Sequence, residues 1–134
     1  MNDKLLLIVG GILLSIIGIW LVLFPPKISI KGKVVKNIYV SSIPYKTYVS
    51  LQKGQVVLIS ISKEYINHII KVNATNSNVY LVKIVKSKNN IIEANIIKSS
   101  SITGSLVFRY TNTSYKVVIV PLKNGTVKIS VELY

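Results

Sequence analysis

From Ile28 onward the chain alternates between apolar and polar residues in short segments. The C-terminal stretch is the clearest. Val127, Ile129, Val131 and Leu133 are apolar, while Thr126, Lys128, Ser130 and Glu132 between them are polar. A period of two puts one set on a buried face and the other in water, which predicts a β-strand over 126–133. A second strand is predicted over 115–121. Asn124-Gly125 between the two tolerates the left-handed conformation that a type I′ turn needs at both central positions, so a hairpin is expected there. Further strands are predicted over 105–111, 91–97, 79–85, 66–74, 55–62 and 46–51, the last two pairing across Lys53-Gly54. Residues 28–40 supply one or two more. Eight or nine strands with no amphipathic helix after residue 25 predict an all-β fold. An antiparallel β-sandwich is the expected form, with a closed barrel as the alternative.

The first 27 residues follow another rule. Residues 5–24 form an uncharged apolar run of 20 residues. As a helix at ~1.5 Å per residue it would span roughly 30 Å, the hydrocarbon thickness of a bilayer. Trp20 near its end suits the membrane interface. Pro25-Pro26 would stop the helix, and Lys27 would follow as an interfacial charge. A cleaved signal peptide normally has a shorter core and a small-x-small cleavage site, and neither is present. A pilin-type leader would show a glycine before the apolar run, and Lys4 stands there instead. The expectation is therefore a single-pass N-terminal transmembrane helix, with 1–27 as anchor and 28–134 as the β domain. Gly11, Ser15 and Gly18 would share one helix face, where small residues allow another helix to pack closely and a homo-oligomer to form.

Charge adds a partner class and leaves orientation open. The chain has 17 Lys and Arg against 4 Asp and Glu, a net charge of +13. Lys4 and Asp3 cancel, so the whole excess lies beyond the apolar run. Such a domain is drawn to phospholipid head groups, acidic glycans or nucleic acid. The lysines stand mostly at the polar positions of predicted strands, as Lys116 and Lys128 do, which reads as a solvated face and argues against nucleic acid. Lys27, Lys31, Lys33 and Lys36 crowd one flank of the run and would keep the domain in the cytoplasm. Three N-x-S/T sequons, at Asn73, Asn112 and Asn124, are glycosylation candidates near predicted turns and point outside. With the Ser, Thr, Asn and Tyr content, they favour an extracellular domain.

Candidate chemistry is sparse. There is no cysteine and one histidine, which leaves no nucleophile–base pair and too few ligands for a metal site. His68 reads as a strand residue. Glu64 and Glu93 are the carboxylates that a glycosidase-type reaction would use, but nothing in their spacing pairs them. No catalytic, cofactor-binding or metal residue is assigned, no cofactor is expected, and no small-molecule substrate is implied.

The stretch from Val49 through Gly54 to Ile61, and the closing Gly104-Ser-Leu-Val-Phe-Arg-Tyr110 with the last two strands, resemble GOLD-like and prepeptidase C-terminal β-sandwich domains. The resemblance covers residues 45–134, with Ser114 where those families usually carry a glycine. It implies a binding module of accessory or cargo type. The abundance of Ile, Lys, Asn and Tyr also resembles small anchored surface proteins of thermophilic archaea and their viruses. The expected function is a non-enzymatic, membrane-anchored interaction or structural module, displayed outside the cell or on a virion envelope. Its expected partners are membrane lipid and a protein of a surface or membrane assembly. Two alternatives stand beside it: a cytoplasm-facing basic domain that binds anionic lipid or nucleic acid, and an accessory subunit of a membrane complex.

Overall fold

A computed structural model of the chain describes residues 29–100 and 104–134. They form nine strands: β1 (Ser29–Val40), β2 (Tyr45–Leu51), β3 (Gln55–Ile61), β4 (Ile69–Ala74), β5 (Ser77–Lys88), β6 (Ile91–Ser99), β7 (Ser105–Arg109), β8 (Tyr115–Pro121) and β9 (Gly125–Leu133). A single 3-10 turn, Lys63–Tyr65, precedes β4. The expected transmembrane helix, with Trp20, Lys27, Gly11, Ser15 and Gly18, lies outside the described residues. Among the described residues no helix is long and apolar enough to cross a membrane.

The strands sort into two layers. One is a closed five-stranded barrel in the order β1-β3-β8-β5-β6, and the other is a four-stranded sheet in the order β2-β9-β4-β7. Both forms weighed from the sequence are thus present in part. The barrel is not purely antiparallel, because β1 runs parallel to β3.

Two cores explain this sorting. Val34, Val56, Val82, Ile92, Ala94 and Val118 form a cluster to which all five barrel strands contribute, so it fills the barrel. A larger cluster lies between the layers and joins Val57, Ile59, Val79, Leu81, Val117 and Ile119 of the barrel to Val72, Phe108, Ile129 and Val131 of the sheet. Strands β3, β5 and β8 therefore bury both faces, and their sequences are near-continuous apolar runs such as Val117-Val118-Ile119. Strands β2, β4 and β9 have one wet face and alternate. Strand β1 changes role along its length. Val34 points into the barrel, a register shift follows before Lys36, and Ile38 and Val40 then face the sheet. One extra residue in a strand reverses which side its side chains take.

Neither hairpin expected from the turn residues forms. Strand β8 pairs with β3 and β5, whereas β9 pairs with β2 and β4. Strands β2 and β3 likewise lie in different layers. In each case a strand with one wet face adjoins, in sequence, a strand that must bury both. The connection has to cross from sheet to barrel. The two crossings are tied together, since the Lys53 N–H donates to Asn124 Oδ1 at 2.8 Å. The type I′ geometry occurs instead between β5 and β6, where Asn89 and Asn90 have φ of 52° and 63°.

One buried polar contact closes the core. Tyr110 is almost fully buried, and its hydroxyl donates to the Ile61 carbonyl at 2.8 Å, linking the strand after β7 to the end of β3. Tyr110→Phe is expected to lower stability at neutral pH by about 1–2 kcal/mol, because it leaves that carbonyl without its donor. Burial, with a smaller contribution from Tyr39, raises the Tyr110 pKa above the ordinary tyrosine range. A raised folded-state pKa means that the unfolded chain releases this proton first. The Tyr110 contribution is complete below about pH 10 and is lost as pH rises toward the folded-state value. Urea titrations at neutral and strongly alkaline pH should show the cost of Tyr110→Phe shrinking with alkalinity.

Candidate functional site

The most strongly charged surface is built by register. The first half of β1 pairs with β6, and the far half of β5 pairs with β6 on its other side, giving a three-stranded arm. Residues in register across an antiparallel sheet share a face. One row is Ser29–Asn95–Lys83, the next Lys31–Glu93–Lys86, and the third Lys33–Ile91–Lys88. The five lysines and Glu93 are all exposed. Ile91 sits among them 44% exposed, and Val85, in the bulge between Ile84 and Lys86, is 61% exposed. Around them lies a shallow depression of about 330 Å³ lined by Lys31, Lys86, Lys88, Asn89 and Glu93. The other side of the arm carries Ile30, Ile84, Ile92 and Ala94 into the barrel core. Gly32 lets the arm come close: a Cβ there would lie 2.7 Å from Val56 Cγ1.

A second feature is an open sheet edge. In the four-stranded sheet the outer strands are β2 and β7, each paired on one side only. Strand β7 is five residues long, and its Val107 carbonyl already accepts from Lys98 Nζ at 2.6 Å. A lysine laid over a strand edge obstructs further pairing. Strand β2 is seven residues long and pairs with β9 alone. Its outward residues are Lys46, Tyr48 and Ser50, with Tyr48 63% exposed.

No known protein family matches the chain by sequence, and no curated protein does. Among solved structures, it is similar to PliG of Aeromonas hydrophila, a periplasmic inhibitor of g-type lysozyme. The superposition has a TM-score of 0.58 at 9% identity, over 77% of this chain and 99% of that one. The two chains share a fold. The pre-peptidase C-terminal domain of a collagenase from Bacillus anthracis also matches, at 15% identity over 75% of this chain and 96% of that one. Its TM-score is 0.35.

The remaining sequence candidates are dispersed. Asn112 and Asn124 are exposed on turns, while Asn73 is half-buried in β4. Asn112 Oδ1 accepts from both the N–H and the hydroxyl of Ser114. His68 was expected inside a strand but lies in the turn before β4. Asn67, at φ 72°, breaks the extended conformation there. The ring of His68 meets Tyr65 edge-on, with centroids 6.1 Å apart. Glu64 belongs to the 3-10 turn and Glu93 to the arm. Among the described residues no three His, Asp or Glu gather as metal ligands. The basic arm is what residue-by-residue reading missed. Its signal is Lys31-Gly-Lys33 and Lys86-Ser-Lys88, two same-face lysine pairs, the second flanking the Asn89-Asn90 turn.

Proposed function

We propose that this chain is a non-enzymatic interaction module, tethered to a membrane by residues 5–24 and presenting its basic β domain to a partner protein on the outer surface of a cell or virion. The observation that carries this reading is the uncovered edge of β2. Main-chain donors and acceptors along an open edge can take up an extended segment of another protein as an added strand. The outward Lys46 and Tyr48 would select which segment binds. The shared fold supports the reading only in kind, since PliG is named for its action on another protein. The sparse carboxylates and lone histidine agree with a binding role over a catalytic one.

A photo-crosslinking residue placed at Tyr48 in the full-length chain tests this in intact cells. A discrete adduct with one protein is expected. Ser50→Pro, which removes a main-chain donor from the open edge of β2 and leaves its ladder with β9 in place, should abolish the adduct while the β circular dichroism persists. An adduct that survives Ser50→Pro, or no adduct at all, would remove strand addition at this edge as the mode of binding.

A further inference from the structure

The three rows of the arm concentrate five lysines and one glutamate on a single face, with two exposed apolar side chains among them. Glu93 stands between Lys31 and Lys86, so its charge offsets part of one row and leaves the other two intact. A basic surface with apolar side chains among its lysines fits an anionic surface that has an apolar layer beneath. The position of the arm in the chain adds an independent argument. Strand β1 opens the arm at Ser29, five residue steps after the apolar run ends at Phe24. Five steps of chain reach at most about 18 Å. From Ser29 to Lys33 the arm itself extends only about 13 Å. If residues 5–24 lie in a bilayer, the arm is confined to within roughly 31 Å of it, so its lysines can reach the head groups, whose attraction is felt within a Debye length of about 10 Å.

We infer that the outer face of the β1–β6–β5 arm docks on the surface of an anionic phospholipid bilayer, the same membrane that holds the tether. This rests on the tethered reading above and adds an orientation to it. The barrel side lies against the head groups, and the four-stranded sheet, with its β2 edge, points away. It also accounts for the lysines that follow the apolar run. Lys31 and Lys33 belong to a folded face that meets lipid, on whichever side of the membrane the domain stands. Nucleic acid would need contacts along a phosphate backbone, and nothing in the arm supplies an aromatic stacking platform.

The chain has no cysteine, so a single one can be labelled cleanly. The full chain carrying Ile91→Cys, with an environment-sensitive fluorophore, is mixed with neutral phosphatidylcholine vesicles or with vesicles that also contain phosphatidylglycerol. Both carry a head-group quencher. Quenching is expected in the anionic vesicles, with loss at high salt, while a label at Tyr48→Cys on the other layer stays unquenched. Each lysine contributes roughly fivefold to docking. Lys86→Ala with Lys88→Ala should therefore weaken it roughly 25-fold, with the β circular dichroism unchanged. Equal quenching in both vesicles overturns the proposal, as does a label that responds to duplex DNA and ignores lipid charge. A chain that floats with neutral vesicles but shows no charge-dependent quenching keeps its tether and loses the docking face. One that floats only with anionic vesicles loses the tether and keeps the face. One that floats with neither loses both.

Discussion

Alanine substitutions at three consecutive positions of β8, Val117, Val118 and Ile119, are each expected to destabilise the β domain by about 2–4 kcal/mol. The estimate takes ~0.8 kcal/mol per buried methylene lost, plus the cavity left behind. All three side chains are buried. Val117 and Ile119 face the four-stranded sheet, and Val118 faces the barrel interior. Strand β9 should behave differently. Val127→Ala, Ile129→Ala and Val131→Ala are expected to cost similar amounts, while Thr126→Ala and Lys128→Ala stay within about 0.5 kcal/mol of the parent. Urea titration of the full chain in mild detergent, followed by circular dichroism, reads the whole series. Val118→Ala is the decisive member. In a plain sandwich with a β8–β9 hairpin it would face water and cost almost nothing. Here it removes a side chain from a core to which each of five strands contributes.

That comparison also separates what the residues announce from what they conceal. Period-two alternation in 126–133 revealed both the strand and its buried face, because β9 has one wet side. The same rule located β2 and β4. It could not allocate β3, β5 and β8 to a layer, since a continuous apolar run does not distinguish a strand buried on both sides from one in a sandwich core. The turn residues misled for a related reason. Asn124-Gly125 allows a tight turn, but its flanking strands have different burial needs, and burial outweighs a local turn preference. Asn89-Asn90 separates strands that both line the barrel, and there the turn chemistry and the burial agree. The parallel β1–β3 pairing joins strands that are not consecutive, so no local signal reveals it.

The candidate surfaces were legible to different degrees. A charge of +13 announced a polyanion-seeking surface, but single lysines at polar strand positions look alike until register is known. Only the pairing of β1, β6 and β5 brings Lys31, Lys33, Lys83, Lys86 and Lys88 onto one face. The open β2 edge was hidden more deeply. With β2 assigned to a hairpin with β3, its outer side would have been taken. Edges are a property of topology, and the residues of β2 alone do not show that its only partner is β9.

The second large effect concerns the tether. Deleting residues 5–24 is expected to shift the chain from the membrane fraction to the soluble fraction, because no other segment offers 20 uncharged apolar residues in sequence and peripheral lysine contacts release in salt. The β domain should survive the deletion, since the described residues, all beyond the deletion, supply a cluster inside the barrel and another between the layers. Circular dichroism and urea titration of the shortened chain would check that survival.

The most direct test of a tethered, outward-facing module is protease treatment of intact cells that express the full chain. The expected result is digestion of the β domain from outside, leaving a short N-terminal fragment that remains with the membrane after a high-salt wash. A domain protected until the membrane is broken would place it on the inner side. A chain released by the salt wash would show that residues 5–24 do not hold it in lipid.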